Sequence, residues 1–269
     1  MPTTATVTDR AFFNNSPEQP EATLPSAEML ISIVIPALNE EQGIASVLQQ
    51  IPHCTLKQNG YDVEVVVVDN GSTDNTARIA KEHGAIVISE PARGYGHAYM
   101  AGFKHATGDI IVTGDADMTY PFDALPELLS IFRAKKIQFM NTNRLCTLQP
   151  NVMTRTHQFG NWGLTLAMRI LYGAPFRDSQ SGMWLFERSI WKHLDVRSGG
   201  MPFSQELKVE AYMRGFTCGE VPITYRARVG HVKLNTLADG FRNITNLMVK
   251  RLAFVSIRLP RRSALSQVR

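Results

Sequence analysis

Cysteine is scarce in this chain, and long apolar runs are missing. Cys54, Cys146 and Cys218 are odd in number and show no metal-ligand spacing, so neither a disulfide framework nor a thiolate metal site is indicated. Inert thiols in a reducing compartment are the default expectation. No window of about 18 uninterrupted apolar residues occurs, so no membrane span is expected. The segment 1–28 is polar, holds Pro17, Pro20 and Pro25, and lacks the apolar region of a signal peptide. It reads as a disordered or loosely attached arm. Charge is nearly balanced, with 28 Lys and Arg against 24 Asp and Glu. The exception is the end of the chain, where Lys250, Arg251, Arg258, Arg261, Arg262 and Arg269 meet no acid. Such a tail suits an anionic surface.

What is present is an ordinary globular composition, 44% hydrophobic and 19% charged over 269 residues, enough for one sizeable core. The most informative stretch is Ile110-Ile-Val-Thr-Gly-Asp-Ala-Asp117. Its β-branched run suits a strand covered on both faces, and it delivers two carboxylates at its C-terminal end, where open α/β sheets bind ligands. Asp115 and Asp117 read in two ways. They are turn and capping residues before Pro121, or an oxygen pair for Mg²⁺ or Mn²⁺, a cation that would offset their repulsion.

The other elements follow in order. Ile31–Ile35 predicts a strand halted by Pro36, and Asn39 with Gln42 has capping-box spacing ahead of a helix carrying Ile44, Val47, Leu48 and Ile51. Val63–Asp69 predicts a second strand and Ala85–Ser89 a third, followed by the glycine-rich Arg93–His97 and a helix towards Thr107. Strands alternating with helices imply right-handed βαβ units and a parallel sheet. Further on, Phe122–Phe132 predicts a helix, Ile137–Thr142 a strand, and Thr156–Tyr172 an amphipathic helix with Phe159, Trp162, Leu166 and Ile170 on one face. Phe203–Arg214 predicts another helix, and 216–225 a strand pair broken by Pro222. Thr236–Ser256 predicts a helix with Leu237, Phe241, Ile244, Met248, Leu252 and Val255 on one face. Gly94 and Gly96 begin a dinucleotide fingerprint, but Tyr99 holds its last position and the loop follows the wrong strand. There is no Walker A run and no His-Glu-x-x-His.

Pro36-Ala-Leu-Asn-Glu40, Val68-Asp-Asn-Gly-Ser-Thr-Asp74, Gly94-Tyr-Gly-His-Ala98 and Asp115-Ala-Asp117 together resemble glycosyltransferase family 2. Asn143-Arg144, Asp178-Ser-Gln-Ser-Gly182, Phe203-Ser-Gln-Glu206, Glu220-Val-Pro-Ile-Thr-Tyr225 and Arg228-Val-Gly-His-Val-Lys-Leu234 resemble its polyprenyl-phosphate sugar synthases. Three positions depart from the family pattern: Asn70 stands for a second aspartate, Tyr95 for a lysine, and Val232 for a serine.

The resemblance implies a single α/β domain of the GT-A fold, Rossmann-like, with a mostly parallel central sheet flanked by helices. It would span 29–235, with an amphipathic helix and basic tail at 236–269. It implies an inverting, metal-dependent transfer of a sugar from a nucleoside-diphosphate donor to a polyprenyl monophosphate. Pro36, Asn39, Glu40, Asp69 and Asp115 would hold base and ribose, and Arg93 and Gly94 the pyrophosphate. Asp115 and Asp117 would hold Mg²⁺ or Mn²⁺. Asp178 would act as an orienting group or weak base beside Asp117, and Arg144, Arg228 and Lys233 would grip the acceptor phosphate. The expected place is the cytosolic face of a membrane, peripherally attached, with no nucleic-acid partner. Two other readings stay open: a soluble or glycan acceptor, and a sugar-nucleotide-binding module without catalysis.

Overall fold

Nine-residue strands of almost unbroken apolar character form the middle of the sheet: β2 (Met29–Ala37) and β3 (Tyr61–Asp69). A computed structural model of the chain describes residues 12–13, 29–149, 152–230 and 236–258. The remaining strands are β1 (Phe12–Phe13), β4 (Ile86–Ser89), β5 (Ile110–Thr113), β6 (Phe139–Asn143), β7 (Trp184–Glu187) and β8 (Cys218–Pro222). Together they make one 8-stranded sheet in the order β1-β8-β6-β7-β5-β2-β3-β4. The β5-β2-β3-β4 half and the β6/β8 pair are parallel, as the alternation of strands and helices predicts.

The helices are α1 (Ile44–Gln49), α2 (His53–Gln58), α3 (Thr76–Glu82), α4 (Tyr95–His105), α5 (Leu125–Ala134), α6 (Arg155–Tyr172), α7 (Arg188–Trp191), α8 (Phe203–Met213) and α9 (Thr236–Arg258). They bury both faces of the sheet. Along β2, Ile31, Ile33 and Ile35 join one core layer with α1, α2 and α5, while Val34 joins the other with α4, α6 and α8.

Several sequence expectations are corrected. β2 runs through Pro36 to Ala37, in register with Val68 and Asp69, rather than halting at the proline. The capping box after Asn39 does not form. Asn39 takes a left-handed φ of 51° and turns its side chain to Thr73, so α1 starts later, at Ile44, with no side-chain cap. Residues 122–124 form a 3-10 turn before α5, and 216–225 yields one strand, not two. β7 is antiparallel to both β5 and β6. The chain leaves the sheet at the end of β6, crosses through α6, and re-enters from that same edge, so it must run backwards.

Within the expected N-terminal arm, β1 pairs antiparallel with β8 at the sheet edge. Lys233 and the basic residues after Arg258 lie outside the described residues, as do the side chains of Leu237, Val255 and Arg258.

The two amphipathic helices bury the face that periodicity did not single out. α6 buries Leu164, Thr165, Met168 and Tyr172, leaving Phe159 (73%), Trp162 (58%), Leu166 (39%) and Ile170 (74%) exposed. α9 packs on α6 and α8 through Asn243, Leu247 and Phe254, and Tyr172 donates a hydrogen bond to the Leu247 carbonyl at 2.6 Å. Its Phe241 (74%), Ile244, Met248 and Leu252 (68%) face outward.

Candidate active site

Asp115 and Asp117 lie in the turn that ends β5, at the carboxyl edge of the parallel strands. Asp117 is buried, and its Oδ1 accepts hydrogen bonds from the Thr119 backbone N–H (3.1 Å) and hydroxyl (2.6 Å). Its Oδ2 lies 3.1 Å from Arg228 Nη1. Arg228 Nη2 reaches Glu40 Oε1 at 3.2 Å, so one guanidinium bridges two carboxylates contributed by distant segments. Backbone bonds set that position: Arg226 N–H donates to the Thr119 carbonyl and Val229 N–H to the Asp117 carbonyl, at 3.0 and 2.9 Å. Arg228 Nε is buried and has no partner among the described residues.

Burial and the neighbouring Asp117 charge push the Asp115 carboxyl up to about 7, although Arg228 and Arg144 oppose the shift. The cluster is therefore short of positive charge even with Arg228 in place. Oxygen donors that already draw a guanidinium between them fit a hard divalent cation. Among the described residues no group of three or more His, Cys, Asp or Glu is arranged to hold a metal. Such an ion would rest on Asp115 and Asp117 and take further oxygens from phosphate and water.

The remaining residues expected to hold the donor gather around the ends of β2 and β3. Asn39 Oδ1 accepts the Thr73 N–H at 2.7 Å, and Asp69 Oδ1 accepts the Ser72 N–H at 3.0 Å. Glu40 is buried, its N–H donating to Thr76 Oγ1 at 2.8 Å. Arg93 is exposed and donates to the Gly71 carbonyl at 3.2 Å. Gly94 has φ 140°, which disfavours any other residue, and a Cβ there would collide with the Gly199 carbonyl.

Asn70 accounts for one departure from the family pattern. Its Nδ2 donates to the carbonyls of Glu90 and Ala92, both at 2.9 Å, while Oδ1 accepts the Gly94 N–H at 2.7 Å. An aspartate would set a carboxylate against two carbonyls. Asn70→Asp is expected to cost roughly 1–3 kcal/mol and to loosen the Arg93–Gly94 loop. Urea midpoints and nucleotide affinity check this, and unchanged values for both would sink it.

Arg144 and Asp178, expected to act separately as a phosphate grip and an orienting group or weak base, form one buried ion pair. Arg144 Nε and Nη2 reach the two Asp178 oxygens at 2.8 and 2.9 Å, and the Arg144 N–H donates to Oδ2 at 3.0 Å. The guanidinium also lies over the Tyr225 ring, 5.2 Å from its centroid. Burial disfavours the Asp178 charge, but Arg144 outweighs it and holds the carboxyl below its ordinary value of 3.8. A folded-state pKa below the unfolded one means the pair stabilises above pH 3.8 and loses that contribution as pH falls through the folded value. Asp178→Asn leaves a buried, unpaired guanidinium, with an expected cost of roughly 3–5 kcal/mol at neutral pH. That gap should close below the carboxylate range. Urea midpoints measured from neutral to acid pH read it directly, and a gap independent of pH refutes the assignment.

The basic residues expected to form one grip are thus divided. Arg144 belongs to Asp178, Arg228 to Asp117 and Glu40, and Lys233 falls outside the described residues. The Asp178–Gly182 turn nonetheless faces the acid pair: a Cβ on Gly182 would stand 2.5 Å from Tyr95 Oη, 3.3 Å from Tyr120 Oη and 3.5 Å from Asp115 Oδ1. Sequence reasoning missed Thr119, Tyr95, Tyr120 and Tyr225. A hydroxyl two residues after Asp117, and tyrosines inside the recognised motifs (Tyr95, Tyr225) or just beyond them (Tyr120), were the available signals.

Residues 32–194 match the family described as Glycosyl transferase family 2. The chain is 40% identical over 221 residues to the low-salt glycan biosynthesis hexosyltransferase Agl6 of Haloferax volcanii. That alignment covers 81% of the chain and 53% of Agl6, so the chain spans about half the length of this relative. It is 35% identical over 211 residues to the dolichyl-phosphate hexose transferase of the same organism, covering 78% and 89% of the two proteins. Among solved structures, glucosyl-3-phosphoglycerate synthase from Mycobacterium tuberculosis, in complex with Mn²⁺, UDP and glucosyl-3-phosphoglycerate, superposes with a TM-score of 0.69 at 26% identity. That match covers 90% of this chain and 88% of the other.

Proposed function

Because the chain belongs to glycosyl transferase family 2 and has the GT-A fold, we propose that it transfers a hexose from a nucleoside-diphosphate sugar to a polyprenyl monophosphate at the cytosolic face of a membrane. Pro36, Asn39, Glu40 and Asp69 hold base and ribose at the ends of β2 and β3, with Arg93 and the bare backbone of Gly94 beside the pyrophosphate. A divalent ion on Asp115 and Asp117 supplies, when bound, charge neutralisation at the diphosphate leaving group.

On the acceptor side, the phosphate oxygen forms its bond to the anomeric carbon as the bond to the diphosphate breaks, inverting that centre. A lipid phosphate is already anionic at neutral pH and needs no strong base. Asp178 suits that requirement, since both its oxygens are committed to Arg144. It orients the guanidinium for a phosphate, and most of the rate comes from positioning. Arg228, whose Nε has no partner among the described residues, would turn from Glu40 and Asp117 to a phosphate oxygen.

One observation supports a lipid acceptor above the others. α6, with its exposed apolar stripe, is bonded directly to the Asp178 turn: Thr165 Oγ1 accepts the Ser179 N–H at 3.1 Å and meets Ser179 Oγ at 3.0 Å. A lipid phosphate seated at Arg144 would find an apolar helix beside it. A soluble phosphorylated acceptor is the second reading, favoured by the likeness to the synthase solved with UDP-glucose and phosphoglyceric acid. A panel of nucleoside-diphosphate sugars with Mg²⁺ or Mn²⁺ tests both, with polyprenyl phosphate or phosphoglyceric acid as acceptor. Glycolipid product is the expected result. Product from the soluble acceptor alone overturns the lipid reading, and donor binding without any product leaves a binding module.

A further inference from the structure

Lys208 is completely buried on α8, and nothing in the reaction above uses it. Lysines are rarely buried to this degree without a carboxylate partner. Among the described residues Lys208 makes no ion pair. Its Nζ meets the carbonyls of Ser179 (2.9 Å) and Ser181 (2.7 Å) and the Ser204 hydroxyl (2.8 Å), with the Ser204 carbonyl at 3.4 Å. The amine also stands 5.1 Å from the Trp184 ring centroid. Burial pulls its pKa well down. Even as a neutral amine it keeps two N–H donors for the two carbonyls and a lone pair for the Ser204 hydroxyl.

The opposite end of the same turn is held by a buried carboxylate. Glu220 accepts the Arg177 N–H at 3.0 Å and the Asp178 N–H at 3.1 Å, while Asn141 and Asn143 donate to its two oxygens at 2.8 and 3.0 Å. The turn therefore lies between an acid on its N–H groups and an amine on its carbonyls, matching the direction of the peptide dipoles. Asn141 also donates to the Asp178 carbonyl, Tyr120 Oη accepts the Gly182 N–H, and the Thr113 hydroxyl donates to the Gly182 carbonyl. A methionine would fill the same volume without desolvating a charge. What the amine adds is convergent donors.

Resting on the lipid-acceptor reading for its activity arm, we infer that Lys208 is a positioning residue for the acceptor side of the transfer. It holds the Ser179 and Ser181 carbonyls so that Asp178 meets Arg144 and Gly182 faces Asp115. It touches neither substrate and acts through the turn.

The test compares K208M with L207A, which truncates an apolar core neighbour on the same helix. Four readouts are taken: the thermal midpoint, amide hydrogen exchange across residues 177–184, UDP affinity with Mn²⁺, and turnover at saturating donor and polyprenyl phosphate. K208M is expected to speed exchange across the turn and to lower kcat about 10²-fold with UDP affinity retained. L207A should lower the thermal midpoint at least as far while keeping kcat and slow exchange in the turn. Unchanged exchange in K208M, or the same loss of kcat in L207A, makes Lys208 a packing residue and overturns the inference. If K208M does not fold, K208L, which also removes the donors on a smaller apolar side chain, carries the same comparison. If the parent chain glycosylates no polyprenyl phosphate, the acceptor reading fails on its own, and the exchange comparison still decides Lys208.

Discussion

Asp117→Asn is expected to lower turnover by about 10³-fold or more while leaving the fold intact. The side chain sits at the end of β5, outside the apolar layers, so the substitution opens no cavity. An asparagine can still accept the Thr119 bonds through Oδ1. Its Nδ2 would then face the Arg228 guanidinium, donor against donor, where Oδ2 now lies 3.1 Å away. The variant thus loses both the negative charge that would bind a divalent ion and the contact that parks Arg228. Circular dichroism and a urea midpoint report the fold, and Mn²⁺ titration with steady-state turnover reports the site. Turnover within tenfold of the parent, with the fold preserved, removes Asp117 from the chemistry.

The second large effect concerns attachment. W162E/F241E is expected to weaken binding to anionic vesicles by at least about 10²-fold. Both side chains are more than half exposed, Trp162 at 58% and Phe241 at 74%, on helices that pack against each other. Apolar stripes of this extent are unusual on a free surface. Burial of each aromatic side chain contributes roughly 1.5–3 kcal/mol, so losing two removes at least about 3 kcal/mol, or about 10²-fold, before repulsion between glutamate and anionic lipid is added. UDP affinity should stay unchanged, because neither residue is among those proposed to hold the donor. Vesicle flotation gives the answer. Undiminished flotation, or loss of a concentration-dependent self-association instead, would show that the stripes serve another partner.

The half expected to hold the donor was legible because its signals are local. Ile31–Ile35, Val63–Val68 and Ile110–Val112 are contiguous β-branched runs, and such runs form covered strands wherever helices alternate with them. Asp115, Asp117, Asp69, Asn39 and Glu40 follow those strands by one to five residues, so placing the strands places the acids near the same edge. No family of motifs was needed to see that much. The resemblance added the expected chemistry, and the relatives support its coarser part, the glycosyltransferase family.

The half expected to hold the acceptor was not legible in that way. Arg144 and Asp178 were each visible as candidates, but their pairing joins positions 34 residues apart, and Arg228 reaches Glu40 across 188. Coulomb attraction follows distance in space, and sequence spacing beyond a helical turn carries no information about it. Lys208 shows the same limit. On a helix its residue type suggests a solvated face, and only the packing of α8 under the Asp178 turn turns it inward.

Chain order and apolar periodicity were sufficient for the parallel strands, for the acids at their ends, and for the existence of α6 and α9. Spatial packing settled the antiparallel course of β7, the partner of every buried charge, and the outward direction of both apolar stripes. The reason is physical: periodicity says that one side of a helix is apolar, but what covers that side depends on which neighbour the rest of the fold brings against it.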